Sequence, residues 1–90
     1  MQLIKENAKG KTYQAEKCKI LYRHKDSIAG DNDHNPAEVI YFIQWSAKIT
    51  LEDKVWTIAA PAEVSFPAHT YHKIQAITDI SFIVFDTEED

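Results

Sequence analysis

Hydrophobic and polar positions alternate along much of the chain, which is the pattern of β-strands that bury one face and expose the other. Residues 17–23 alternate in this way and place Cys18, Ile20 and Tyr22 on one face. Residues 38–44 are rich in β-branched and aromatic side chains throughout, which is typical of a strand packed on both faces. We therefore expect two strands here, with Cys18 as a small buried side chain rather than a nucleophile.

A hairpin and several short strands are predicted in the second half of the chain. Residues 46–51 alternate cleanly, and residues 51–54 read as a tight turn into an apolar run at 55–58. Further strands are predicted at residues 63–66, 71–76 and 80–85. Residues 7–10 and 30–36 have the Gly, Asn, Asp and Pro content of loops. Many short strands with little helix predict an all-β sandwich or barrel, and periodicity alone does not separate the two.

Composition narrows the class of protein. The 90 residues, 44% hydrophobic and 27% charged, predict one domain over residues 1–90 that ends in an acidic tail at 86–90. The net charge of −4 argues against a nucleic-acid partner, and no run approaches the roughly 18 apolar residues of a membrane span. Because Cys18 is the one cysteine and the start of the chain lacks a signal-peptide pattern, we expect a cytoplasmic protein.

Histidine and carboxylate residues are the candidates for site chemistry. If the chain is extended after residue 31, Asn32, His34 and Glu38 share a face, because alternate residues of a strand point the same way. Ile40 and Phe42 continue that face as an apolar floor, which is how a metal or small-molecule pocket is built. Imidazole and carboxylate groups together suit Zn, Fe, Mn or Ni. Surface histidines, or structural ones held by hydrogen bonds, are the alternative explanation.

Two short motifs resemble those of the cupin family. Cupins carry His-x-His, three or four residues and Glu in a first motif, and Pro-x-Gly-x-x-His in a second. Here His34 and Glu38 match the first motif, whereas Pro67 and His72 match the second, and a hydrophobic strand at 80–85 follows as expected. The resemblance covers residues 32–85 approximately and implies a cupin-type double-stranded β-helix, which is a jelly-roll barrel.

Several positions depart from the family pattern. Asn32 stands where the family has its first histidine, and asparagine is a poor ligand for a transition metal. Trp45 and Pro61 replace turn glycines, His69 replaces the glycine of Pro-x-Gly, and Ala76 replaces the final asparagine. These changes predict altered turns on the same fold and one missing metal ligand.

The resemblance implies a set of site residues with distinct roles. The implied ligands of a divalent metal (Zn, Fe, Mn or Ni) are His34, Glu38 and His72, with Asn32, His69 or water completing the set. Glu38 is also the candidate catalytic proton acceptor. Tyr71 is a candidate for the mouth of the pocket, or a core or interface aromatic.

Three functions remain open from the sequence. The first is a small cupin that binds a divalent metal or a small polar molecule inside the barrel, with metal-dependent oxygenase or isomerase and epimerase chemistry as the family performs it. The second is a non-enzymatic ligand- or carbohydrate-binding barrel without metal, which the missing ligand at Asn32 favours. The third is a structural domain whose barrel is packed shut. Cupins commonly cover exposed sheet edges by dimerising, so the resemblance also implies a homodimer.

Overall fold

The computed structural model describes residues 1–86, and these residues form ten β-strands and no helix. The strands are β1 (Gln2–Asn7), β2 (Gly10–Gln14), β3 (Lys19–Arg23), β4 (Ile28–Asn32), β5 (Glu38–Gln44), β6 (Ser46–Leu51), β7 (Lys54–Ala59), β8 (Ala62–Phe66), β9 (His72–Ala76) and β10 (Ile80–Asp86). The all-β prediction is therefore confirmed. The described residues contain no helix of the length and apolarity needed to cross a membrane.

The strands form two antiparallel sheets that face each other. The larger sheet has the order β1-β2-β3-β10-β5-β8, and the smaller has the order β4-β9-β6-β7. Strands that are neighbours in space are mostly distant in sequence, as β10 between β3 and β5 illustrates. This arrangement is a jelly-roll barrel, in which two sheets share one interior.

The interior is built from alternate residues of the central strands. Ile40 and Phe42 of β5 face inward beside Phe82 and Val84 of β10, and the Phe42 and Phe82 rings lie 5.3 Å apart. The rest of the buried apolar core is Ala47, Ile49, Val64, Phe66, Ile74, Ala76 and Ile80. Because a strand places every second side chain on the same face, this core follows from the alternation in the sequence.

Two predictions about the faces of strands need correction. In β3 the half-exposed Tyr22 lies on the outer face, and Leu21 is the residue that packs against the core. Cys18 is accordingly only partly buried. In β5 the outer residues Tyr41 and Ile43 are 39% and 51% exposed, so within one chain this strand is packed on one face only.

Three further strands lie in segments that the pattern left unassigned or predicted in part as loops. β1 and β2 pair as a hairpin around residues 8–9, inside the predicted loop at 7–10. β4 ends at Asn32 and so overlaps the beginning of the predicted loop at 30–36. The predicted hairpin of β6 and β7 is confirmed, with Leu51 paired to Lys54. Asp86, predicted as the start of an acidic tail, is the last residue of β10, and residues 87–90 of that tail lie outside the described part of the chain.

Candidate functional site

A cavity of about 290 Å³ lies between the two sheets and is lined from both of them. Its apolar wall consists of Leu21, Ile28, Ala29, Ile40, Ile74, Phe82 and Val84. Its polar lining consists of Lys5, Asn7, Lys9, Arg23, Asn35, Glu38 and His72, with the backbone of Gly30. A cavity that combines an apolar wall with convergent polar groups is suited to a small molecule that has both kinds of surface.

His72 is the most enclosed polar side chain of this cavity. It is the first residue of β9, is 3% exposed, and stacks on the ring of Phe66 with 4.3 Å between ring centroids and 21° between planes. The pairing of β4 with β9 sets Gly30 close to the Cδ2–Nε2 edge of the imidazole. The ring is thereby held in one orientation, which is a requirement for a group that recognises a ligand.

Gly30 permits the close approach of β4 to His72. Its φ of +83° lies in the left-handed region, and a Cβ at this position would be 2.9 Å from the His72 carbonyl oxygen and 3.0 Å from Cδ2 of the ring. No other residue type fits here without displacing His72, since both the conformation and the space exclude a side chain.

Asn35 and Glu38 complete the group around His72. The Asn35 Nδ2 atom lies 3.3 Å from His72 Nε2, and the Glu38 Oε1 atom lies 3.7 Å from the same nitrogen. The direction of the Asn35–His72 hydrogen bond follows from which ring nitrogen of His72 carries the proton. Asn35 is itself held in place, because its carbonyl accepts a hydrogen bond of 3.0 Å from the His69 backbone N–H.

Burial governs the charge of His72. It lowers the pKa of the imidazole below its ordinary value of 6.5, because the charged form loses its hydration. The Thr70 backbone acts more weakly in the opposite direction. His72 Nδ1 is buried, and no partner among the described residues lies within hydrogen-bond geometry of it. His72 is therefore neutral near pH 7 and presents polar atoms rather than a charge.

Two residues predicted as metal ligands or pocket residues lie elsewhere. Asn32 uses its side chain locally, since its Oδ1 accepts from the His34 N–H at 3.0 Å and its Nδ2 donates to the Gly30 carbonyl at 3.1 Å. The His34 side chain is 87% exposed and lies 3.4 Å from Asp33. Asn32, His34 and Glu38 would share a face only in an extended chain, but residues 33–37 form no strand.

The remaining predicted site residues lie in the cavity wall, in the core and at the surface. Ile40 lines the cavity, whereas Phe42 belongs to the buried core. Tyr71 is half-buried, and its hydroxyl donates a 2.5 Å hydrogen bond to Asp31 at the edge of β4. His69 is exposed and has a φ of +57°, so it occupies the left-handed conformation for which the family pattern has glycine.

The donor set around His72 does not fit a metal centre. Within residues 1–86, no group of three or more His, Cys, Asp or Glu side chains could hold a metal ion. His72 and Glu38 provide two donors, and the Asn35 amide lies 3.3 Å from His72 Nε2. Catalytic zinc sites have three protein ligands, so this pair falls one short.

Sequence reasoning missed several residues that line the cavity. Asn35 and Gly30 were regarded as loop composition only, although their positions around His72 depend on pairings between strands distant in sequence. Arg23 shares a face with Leu21, and that face was assigned to solvent. The alternation in β3 was the signal that could have pointed to Arg23. Alternation separates the two faces of a strand but does not state which face points inward.

Comparison with solved structures identifies the fold. An RmlC-like cupin from Shewanella frigidimarina superimposes with a TM-score of 0.79 at 13% identity, over 99% of this chain and 86% of that one. A cupin superfamily protein from Desulfitobacterium hafniense gives 0.71 at 15% identity, over 84% of this chain and 72% of that one. Oxalate decarboxylase gives 0.74 at 22% identity, over 93% of this chain and 27% of that one. No protein-family model and no curated protein matches the sequence significantly.

The chain therefore has the cupin fold, and the fold predicted from its two motifs is confirmed. The similar structures include an enzyme, oxalate decarboxylase, together with cupins whose names state no activity. Identities of 13–22% carry the architecture and not the reaction, because one barrel accommodates many activities.

Proposed function

We propose that this protein binds a small polar molecule in the cavity between its sheets without a resident metal. The observation that supports this most strongly is the convergence of His72, Asn35 and Glu38 at one end of the cavity. A neutral imidazole, an amide and a carboxylate together offer both donors and acceptors. Such a set recognises hydroxyl, carbonyl or amide groups by hydrogen bonding.

The incomplete donor set supports a metal-free site. Glu38 and His72 are the two predicted metal ligands that come together, whereas His34 is directed to solvent. A ligand held by hydrogen bonds needs no third protein ligand. This is the non-enzymatic binding barrel that the sequence left open as the alternative.

A ligand screen on chelator-treated protein tests the proposal. Small polyols, sugars, amides and organic acids are added singly at 10 mM, and the melting temperature Tm is measured with and without chelator. We expect some of these compounds to raise Tm to the same extent in both conditions, because a ligand that binds only the folded state stabilises it. A rise in Tm that depends on added Mn, Fe, Ni or Zn would overturn the metal-free proposal.

Matched variants assign any such binding to the cavity. Asn35→Ala removes the amide beside His72 and should abolish the ligand-dependent rise in Tm. His34→Ala removes an exposed side chain and should keep the rise in full. Equal binding by both variants would place the ligand outside this site.

The same pair of residues supports a second candidate function, proton transfer in an isomerase or epimerase. The pKa of His72 is lowered, so the imidazole is neutral near pH 7 and can accept a proton, and Glu38 lies 3.7 Å away. Incubation in D₂O with a bound hydroxy or keto acid distinguishes the two functions. Deuterium incorporation at carbon, lost in His72→Gln, would demonstrate catalysis, whereas binding without exchange supports the binding barrel.

We also propose a homodimer formed through the outer face of the larger sheet. Tyr41, Ile43 and Phe85 are 39%, 51% and 36% exposed there, and the Tyr41 and Phe85 rings meet edge-on at 5.6 Å. Exposed apolar patches of this kind mark protein contacts. Since the sequence of β5 is that of a strand packed on both faces, a second copy is the occupant that fits. Cys18 is a free thiol, which fits a reducing compartment, so we propose a cytoplasmic location.

A further inference from the structure

The cavity has a second polar end, formed by the basic side chains Lys5, Lys9 and Arg23. Arg23 pairs with the first residue of β10, whereas Glu38 pairs with the last, so the two polar ends are separated along the strands. Between them lies the apolar wall of Leu21, Ile40, Ile74, Phe82 and Val84. The cavity is thus polar at both ends and apolar between them.

Arg23 is a partly buried cation with neutral partners. Its Nη1 atom donates to the carbonyls of Tyr22 at 2.9 Å and Lys11 at 3.2 Å, and its Nη2 atom donates to Thr12 Oγ1 at 3.1 Å. Partial burial removes water from the guanidinium and lowers its pKa. Three hydrogen bonds leave other N–H groups of the five-donor fork free to bind an anion.

None of the ion pairs among the side chains that the structure describes includes a residue of the basic end of the cavity. These ion pairs join Lys11 to Glu6, His34 to Asp33 and His72 to Glu38. Lys9 reaches across to the other sheet, where its Nζ lies 3.4 Å from the Ile28 carbonyl. Three cations at one end of a cavity favour an anionic ligand, since charge-assisted bonds are the strongest of their kind.

We propose that the ligand is a small organic acid whose carboxylate binds at Lys5, Lys9 and Arg23. Its far end carries a hydroxyl or carbonyl group that bonds to Asn35 and His72, and its carbon chain lies along the apolar wall. The inference rests on the proposed binding function and names the ligand class for the same cavity. The volume of about 290 Å³ is near the lower end for small-molecule sites, which suits a single metabolite-sized acid.

Matched pairs of compounds test the charge requirement. The acids are 6-hydroxyhexanoate, 4-hydroxybutanoate and gluconate, and their uncharged counterparts are 1,6-hexanediol, 1,4-butanediol and glucitol. Calorimetric titration of chelator-treated protein should give at least tenfold tighter binding for an acid than for its counterpart. Inorganic phosphate is included as a separate arm, and phosphate binding tighter than every carboxylate would overturn the organic-acid assignment.

Charge-removing variants locate the carboxylate. Lys5→Gln changes an exposed residue of β1 and should weaken binding of the acid about threefold, whereas Arg23→Gln should weaken it about tenfold or more. Lys54→Gln, at the start of β7 on the smaller sheet, is the control and should leave affinity unchanged. If Arg23→Gln does not fold, Lys9→Gln takes its place, with an expected loss of about threefold.

The outcomes separate this inference from the function on which it rests. Equal affinity for acids and uncharged counterparts, with both lost in Asn35→Ala, would overturn the acid assignment and keep the binding barrel. Acid binding that survives Lys5→Gln and Lys9→Gln unchanged would overturn the position of the carboxylate. If none of the seven compounds binds, the acid assignment is overturned. If the wider screen also finds no ligand, the binding barrel is overturned.

Discussion

At the scale of single residues, His72 connects the sequence motif to the site. Phe66 stacks on its ring, Gly30 lies close to its Cδ2 and Nε2 atoms, and Asn35 contacts its Nε2 atom. Each neighbour restricts the ring or removes water from it. Burial therefore both orients the imidazole and lowers its pKa, and these two effects can be measured separately.

The lowered pKa of His72 predicts a pH dependence of stability. In the pH range below the ordinary value of 6.5, the unfolded chain binds a proton that the folded protein resists. The free energy of unfolding therefore falls as the pH decreases from 7 toward 5. Thermal unfolding at pH 7, 6 and 5 should show a smaller decrease of Tm for His72→Gln than for the wild type. His34→Gln should retain the wild-type decrease, and an identical decrease in all three proteins would contradict this account.

The left-handed backbone at His69 predicts opposite effects of the same substitution at two exposed histidines. Glycine adopts a φ of +57° without a Cβ penalty, so His69→Gly should leave stability unchanged or raise it by up to ~1 kcal/mol. His34 lacks a positive φ, so His34→Gly should cost ~0.5–1 kcal/mol through added freedom of the unfolded chain. Urea unfolding of both variants compares them directly. A larger loss at position 69 than at position 34 would contradict the prediction.

At the scale of elements, the pairing of β4 with β9 determines the shape of the cavity. The two strands pair from Ile28 to Asn32, with a register shift after Gly30. This shift lies beside the imidazole of His72, and β4 could not approach it with a side chain at position 30. One glycine thus sets the distance between a strand and the site.

A methyl group at position 30 should disturb His72 specifically. Gly30→Ala combines a positive φ with a Cβ 2.9 Å from the His72 carbonyl, and we expect a loss of ~2–3 kcal/mol in the free energy of unfolding. The imidazole NMR signals of His72 should shift as well. Gly10→Ala meets the Tyr22 backbone instead and is expected to destabilise without shifting those signals. Unchanged His72 signals in a folded Gly30→Ala protein would contradict the proposed contact.

Local patterns were sufficient to predict most of the strands. β5 and β6 have the predicted boundaries, because strong alternation or β-branched content persists over their whole length. β1, β2 and β4 were missed, since Asn7, Gly10 and Gly30 give those segments the composition of loops. β4 is in addition held in place by pairing with β9, a strand distant in sequence, which local propensity does not reveal.

The candidate site was predictable only in part. The second motif points to His72 and the first to Glu38, and these two side chains lie together in the cavity, whereas their role stays a prediction. His34 failed to join them because its grouping depended on an extended conformation across a loop. Asn35 and Arg23 could not be placed from the sequence, since nothing local states which face of a strand or loop will turn toward the other sheet.

At the scale of the whole molecule, an exposed apolar face predicts the dimer. Ile43→Glu places a charge on the outer face of the larger sheet and should convert the protein to a monomer. Val55→Glu, at a position 55% exposed on β7 of the smaller sheet, should leave the oligomeric state unchanged. Sedimentation velocity at several concentrations measures both variants. A wild-type protein that sediments as a monomer throughout would contradict the dimer.

The central claim is that the cavity between the sheets binds a small polar molecule without metal. The most direct measurement is an NMR titration of chelator-treated protein, in which the side-chain signals of Asn35 and His72 are followed as organic acids and their uncharged counterparts are added. We predict saturable shifts of these signals in the absence of any divalent metal. Shifts that occur only after Mn, Fe, Ni or Zn is supplied would contradict the claim and restore a metal-dependent site.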